Sequence, residues 1–412
     1  MKNWPLESKR DIGNKVILFL ISPFIAFLYS LRTFNRRSSF IVFYLFFVFF
    51  GIAFTVPSGR TINFTSDAAD YREQFESYKN VSENDFINGF KSFLSFDEGN
   101  KDYYFDTVAY YVSRFTDNYH VMFMIFAMVF AYFSLKSFKF FTADFNTKAT
   151  IASYILIYLF MTNQIFNING MRFWTAAWIG IYCIFQIFKH NDNRYWILAL
   201  STPFFHGSFW IFLGVLLIAQ FTRKFEKLWV VLFILSFFVS NLSIELVHSY
   251  QEYLPVFLSK MVDSYTDLEY IQLRRNIGTG YSWIPYTFGI ISRLYFAILM
   301  YIFIKNSKLI RANIKSENLY LLLLVWVTIF NFLSSIPSLG GRYLTFAWPL
   351  TAYIWQVNFL EKKKYQKILY AMPLVSAWSI FIMFFREYPS VLEWDFYFSS
   401  PFYLVFKYLI FA

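Results

Sequence analysis

Apolar stretches of about 18 to 22 residues recur along the chain, the length a helix needs to cross a hydrocarbon core. They fall at roughly 13–31, 38–56, 119–140, 148–166, 171–189, 195–221, 228–247, 281–304, 318–336, 343–360 and 368–386, with a shorter run at 400–411. The pattern predicts an all-α, polytopic integral membrane protein with about 11–13 transmembrane or re-entrant helices. It reads as one membrane domain over 1–412, interrupted by two sizeable loops, 57–118 and 248–280.

Lys and Arg gather in the short connections, which orients the spans, because such clusters stay cytoplasmic. Arg32, Arg36 and Arg37 form one, and Lys136, Lys139 and Lys148 another. Lys189 with Arg194, then Arg223, Lys224 and Lys227, then Lys305, Lys308, Arg311 and Lys315, and last Lys362, Lys363, Lys364 and Lys367 continue the series. The loop 57–118 has 11 acidic residues against 6 basic ones and falls on the opposite, outer side. Two runs break the alternation. The stretch 195–221 is basic at both ends and holds Pro203, His206 and Gly207 at its centre. It is expected to be a hairpin of two short helices with "PFFHGS" at an outward tip, since broken helices persist where they line a protein-enclosed cavity. The run 13–31 is also basic at both ends. Either the N-terminus lies outside or this run is interfacial.

Composition agrees with the membrane reading. The chain is 57% hydrophobic and 15% charged, with 57 Phe and 31 Tyr, where a soluble chain is nearer a quarter charged. The net charge of +11 sits in the short loops and reads as topology, so a nucleic-acid partner is not expected. The first run ends at Leu31-Arg32 without a small-residue cleavage site, so no cleaved signal peptide is expected. The single cysteine, Cys183, excludes a disulfide within the chain. Metal-ligand spacings, P-loop and GxGxxG motifs are absent, so neither a metal nor a cofactor is expected.

The topology puts several chemical features on one outer face. They are "TSDAADYREQF" at 65–75, "YYFDTVAYYVSRF" at 103–115, "NINGMRFW" at 167–174, "FFHGSFW" at 204–210 and "SLGGRYLTF" at 338–346. Arg172 and Arg342 open spans there, and the second loop adds Arg274 and Arg275. A guanidinium stays charged and offers a fork of donors to phosphate oxygens. An arginine at a span end also simply anchors the helix by snorkelling, and each of these two weighs against that by its neighbouring glycine. Gly170, Gly340 and Gly341 permit close backbone approach or mere turns. His206 could deprotonate a hydroxyl or stabilise developing charge. His120, His190 and His248 stand in loop or boundary contexts and read as solvated. Asp67 and Asp70 are candidate bases or sugar ligands. Asp106 lies in a segment with aromatic residues at helical spacing, placed against the membrane. Most of the other acids of 57–118 read as solvated surface.

The order of "DxxDY", "Asn-Gly-x-Arg", "HGS" about 35 residues later and a late "GGRY" resembles the bacterial polysaccharide repeat-unit polymerases of the Wzy class, in particular the EpsG-like branch. The resemblance covers roughly 60–350. It departs from the pattern at Phe173, where a glutamine is common. The resemblance implies a GT-C-like helical bundle in the bacterial inner (plasma) membrane. Its enzyme would join undecaprenyl-pyrophosphate-linked oligosaccharides at the periplasmic or outer face, building O-antigen, capsule or exopolysaccharide. By resemblance, Arg172 and Arg342, with Arg274 and Arg275, would bind pyrophosphate. His206 would assist, Asp70 would act as base or contact the acceptor, and Asp67 and Asp106 would contact sugar. The bilayer and a membrane chain-length regulator are the implied partners.

Competing readings remain at this point. A GT-C-type glycosyltransferase using a polyprenyl-phosphate sugar is compatible with the acidic loop. A lipid-linked sugar flippase or transporter would show internal repeats, and none is visible. A membrane O-acyltransferase would need its histidine at the cytoplasmic end, where His206 is not expected.

Overall fold

The computed structural model describes residues 6–61, 66–96, 101–145, 149–238, Ser249, 283–336 and 339–411. Every regular element among them is a helix. Four helical stretches are long and apolar enough to cross a membrane: Tyr119–Ala143, Ile151–Lys189, Trp283–Lys305 and Lys363–Val391. Within Ile151–Lys189 the chain reverses. The Asn163 amide donates to the Trp174 carbonyl (3.0 Å), and the Trp178 indole donates to the Asn163 carbonyl (3.1 Å). Residues 11 to 15 positions apart cannot meet along one straight helix, which rises about 1.5 Å per residue. Shorter apolar helices, among them Arg37–Ala53, Phe209–Thr222 and Glu317–Phe332, complete the bundle.

The core is aromatic. Trp178, Trp326, Trp355, Tyr320, Tyr343 and Tyr353 are fully buried in one continuous cluster. Where Arg37–Ala53 crosses Tyr119–Ala143, a Cβ on Gly51 would stand 2.5 Å from Ala127 Cβ and 2.7 Å from the Phe123 carbonyl oxygen. Glycine is what lets these backbones approach so closely.

The basic loops lie at one end, and acids hold them. Asp144 takes Lys189 (2.7 Å), Lys315 (2.8 Å) and the Tyr353 hydroxyl (2.7 Å). Glu226 takes Arg311 (2.9 Å) and the Tyr320 hydroxyl (2.9 Å). These buried or half-buried carboxylates hold six helical segments against one another.

Both irregular runs are folded back. In 195–222 the helices Tyr195–Leu200 and Thr202–Phe205 rise to His206, and Phe209–Thr222 returns. The neighbouring helix Met171–Ile184 with its continuation to Lys189 serves as the ruler. The Tyr195 hydroxyl accepts from that of Tyr182 (3.4 Å), and the Arg223 guanidinium lies over Phe188 (5.0 Å), so both feet stand at its C-terminal end. The tip meets its opposite end, with the His206 ring 5.3 Å from Phe173. The run 13–31 is not one helix. It is also a helical hairpin, Lys9–Ile21 and Pro23–Ser30, turning at Ser22. Asn14 donates to the Tyr29 hydroxyl (3.2 Å) across it. Its first helix is tied to the start of Arg37–Ala53, where buried Lys15 binds Asp11 and Ser38 (both 2.7 Å). Ser22 caps the second helix by accepting from the Ile25 N–H, with Pro23 behind it, a helix start in the middle of an apolar run.

The loop 57–118 is itself helical where described: Asp67–Ser77, Glu83–Leu94 and Tyr104–Ser113. Glu83–Leu94 carries exposed Ile87, Phe90 and Leu94 and packs on the hairpin tip through Phe93 against Phe204 (6.0 Å). The solvated reading of His120 is corrected here. His120 is buried (4%) between Tyr119 and Tyr408, because it starts a span. Asp102 is buried (7%) beneath the same loop. His190 is exposed as expected. The loop 248–280, with His248, Arg274 and Arg275, lies outside the described residues apart from Ser249.

Candidate active site at the hairpin tip

Met171–Ile184 begins after a tight helical turn, Ile165–Gly170, so its first turn projects Arg172 at the end of the bundle away from the basic loops. Tyr71 and Asp102, both from the acidic loop, receive it. The Arg172 Nε donates to the Tyr71 hydroxyl (3.2 Å), and Nη1 pairs with Asp102 Oδ1 (3.2 Å). The guanidinium also lies 5.4 Å from the Tyr71 ring centroid. About two-fifths of the arginine side chain stays exposed (39%), so donors remain for an incoming anion.

Asp102 joins three segments. Its second oxygen accepts the Gly207 N–H (3.4 Å) at the hairpin tip. Beside it the Tyr103 N–H donates to the Phe204 carbonyl (2.9 Å). Burial pushes the Asp102 carboxyl up, against the pull of Arg172. The acidic loop is thereby stitched to the tip along 102–104.

His206 is fixed by Ser208 and Tyr343. The Ser208 N–H donates to His206 Nδ1 (3.2 Å), and Ser208 Oγ lies 2.8 Å from the same nitrogen. Tyr343 donates to the Ser208 carbonyl (2.8 Å), with its hydroxyl 3.0 Å from Ser208 Oγ. An Nδ1 that accepts leaves the ring proton on Nε2. Burial, then the positive fields of Arg172, Arg342 and Lys101, hold the imidazole well below its usual 6.5. The ring is therefore neutral and presents Nε2–H as a donor. Held this way, the ring can donate to an oxyanion from Nε2.

Arg342 stands in the short helix Gly340–Leu344. Its guanidinium lies over Phe173 (5.4 Å). Phe173 also meets His206 and Tyr343 edge-on, each at 5.3 Å. The position that departs from the Wzy pattern is thus the wedge around which Arg342, His206 and Tyr343 assemble.

The aspartates named from sequence divide. Asp70 is gripped by Arg60, at 3.0 and 2.8 Å from Nε and 2.6 Å from Nη2. Asp67 has one long contact to the same arginine (3.4 Å), and its Oδ2 would lie 3.9 Å from a Cβ on Gly170. Asp67 therefore faces the Arg172 mouth. Asp106 accepts from the Tyr78 hydroxyl, inside the loop's own packing. The residues that sequence reasoning missed are Asp102, Tyr71, Ser208 and Tyr343. Asp102 immediately precedes the aromatic segment singled out at 103–115, and its neighbour Lys101 masked it as one more surface charge pair.

A family model, the EpsG family, matches residues 44–398, which includes every element of this site. The chain belongs to the EpsG family. Membership in the EpsG family points to a membrane protein of polysaccharide biosynthesis with polymerase activity. No curated protein and no solved structure matches the chain.

Proposed function

We propose that this EpsG-family protein polymerises undecaprenyl-pyrophosphate-linked oligosaccharide units at the outer face of the bacterial plasma membrane. The observation that carries the reading is the meeting of His206 and Arg342 at Phe173, within the field of the neighbouring Arg172, at the end of the bundle opposite the basic loops. Three donor groups converge there beside an acidic loop. Such a constellation suits an anion that gains charge as it leaves.

In the proposed reaction a hydroxyl oxygen of the acceptor unit attacks the anomeric carbon of the donor chain. The bond from that carbon to the pyrophosphate oxygen breaks, and the pyrophosphate leaves on its lipid. Arg172 and Arg342 neutralise the leaving group, and His206 donates a hydrogen bond from Nε2. The hydroxyl proton passes to a carboxylate. Asp67 is better placed than Asp70, because Asp70 is held by Arg60 while Asp67 lies beside Gly170, next to Arg172. Asp102 holds Arg172 and the tip in register.

Deleting the gene in its host and resolving surface polysaccharide on a gel tests this. Single-unit product without a ladder supports a polymerase. A normal ladder with one sugar missing would show a glycosyltransferase that adds single sugars. Arg172→Ala, His206→Ala and Arg342→Ala should each abolish the ladder while the protein stays in the membrane.

A further inference from the structure

Arg293 has no place in the site above, and its position is costly. It lies ten residues beyond Trp283 in the apolar helix Trp283–Lys305. At about 1.5 Å per residue it stands roughly 18 Å from Lys305, at the level of Gly341 and Leu344, with which it shares a cleft. Ile290, Leu294 and Ile298 around it are exposed and apolar, as a lipid-facing surface requires. No acid pairs with Arg293 among the described residues. An ionisable residue on the apolar face of a spanning helix marks a ligand pathway or a water-filled cavity.

An open cleft of about 240 Å³ is lined by Arg293, Ser292, Asn331, Gly341, Trp348 and neighbouring apolar side chains. Ligand pockets usually run about 300–1,000 Å³, so this one fits a headgroup and not a whole oligosaccharide. Gly341 has nothing within 4 Å of where a Cβ would stand, so its backbone borders open space. The next residue is Arg342. Ser292 and Trp348 also line a second cavity of about 370 Å³ that includes Asn167 and Gln164, below the turn leading to Arg172. The two clefts adjoin at Ser292 and Trp348, and they border the segments that carry Arg342 and Arg172.

We propose that Arg293 binds the pyrophosphate of a polyprenyl-linked substrate at a lateral entrance between helices Trp283–Lys305 and Glu317–Phe332, next to Arg342. A lone cation, a headgroup-sized cavity and an apolar outer surface together suit an anion carried on a lipid tail. The inference rests on the polymerase reading and adds the route by which its substrate arrives.

The test uses the full chain in phosphatidylcholine nanodiscs, with a fluorescent polyprenyl pyrophosphate as probe. Arg293→Leu should bind it about tenfold more weakly, the loss expected from one charge-assisted contact. The melting temperature should not fall, since leucine suits the bilayer. Arg293→Gln, which keeps polarity and drops the charge, should behave alike and guards against misfolding of the first variant. Inorganic pyrophosphate should compete poorly and phosphatidylglycerol not at all. Wild-type affinity in both variants overturns the inference alone. Equal competition by phosphatidylglycerol also overturns it, making Arg293 an anchor for bulk anionic lipid. A wild-type protein that binds no polyprenyl pyrophosphate overturns the polymerase reading together with the inference.

Discussion

Asp102 offers a way to disturb the site without removing an arginine. Asp102→Asn keeps the shape and removes the charge opposing Arg172. A hydrogen bond to a charged group is worth about 1.5–3 kcal/mol. Polymer formation should therefore fall about tenfold to a hundredfold, read as loss of long ladder bands at unchanged protein level. Asp102→Ala should also lower the melting temperature, because the Gly207 N–H loses its acceptor. His206 makes a separate prediction about pH. Its folded pKa lies well below 6.5, and its unfolded pKa is near 6.5. Above pH 6.5 both states are neutral and the folded state bears no penalty. As pH falls below 6.5 the unfolded chain takes up a proton first, and stability declines. Activity should stay flat as pH drops through 6.5 and fall only in more acid solution. A midpoint at 6.5 in the activity profile would show that the ring is solvated and not held by Ser208. At this scale the sequence exposed Arg172, His206 and Arg342, because arginine at an outer mouth and histidine in an apolar tip are anomalies against a known background. Asp102 was hidden, because an acid in an acidic loop is no anomaly until something buries it.

Helix contacts decide where these side chains stand, and the two glycines before Arg342 show how. A Cβ on Gly340 would lie 2.5 Å from the Leu333 carbonyl oxygen and 2.6 Å from Ser334 Cα, both backbone atoms that cannot swing aside. Gly340→Ala should cost about 1–3 kcal/mol by overpacking, lower the melting temperature in detergent, and tilt Arg342 off Phe173. Gly341→Ala meets nothing within 4 Å and should leave the melting temperature unchanged. Equal effects of the two substitutions would mean that Gly340–Leu344 does not pack on the 333–335 turn. The motif "GGRY" shows neither behaviour, because close approach is set by a segment seven residues earlier. The hairpin around His206 was legible, since basic residues at both ends of one apolar run leave few alternatives. The hairpin at Ser22 was written in the same signal and strengthened by Ser-Pro, yet each arm is so short that the run resembles one ordinary span.

The arrangement of the whole molecule puts chemistry at one end and a tethered basic end at the other. The two ends are joined by the helix Met171–Lys189, which carries Arg172 at its start and Lys189, bound to Asp144, at its finish. If both feet of the 195–222 hairpin stand with the basic loops, Asn193 and Lys224 share a side of the membrane, and Asp117 in the acidic loop is on the other. The only native cysteine, Cys183, is fully buried, so single introduced cysteines report cleanly. Asn193, Lys224, Lys363 and Asp117 are all exposed. In intact spheroplasts a membrane-impermeant maleimide should label Asp117→Cys and leave Asn193→Cys, Lys224→Cys and Lys363→Cys unlabelled until the membrane is permeabilised. Labelling of Asn193→Cys and Lys224→Cys from opposite sides would make 195–222 a single crossing. Every later span would then reverse its sense, and Arg342 would open onto the cytoplasm, away from Arg172. Both site arginines reach one face only if the chain turns back at His206, so the topology of this hairpin and the chemistry of its tip stand or fall together.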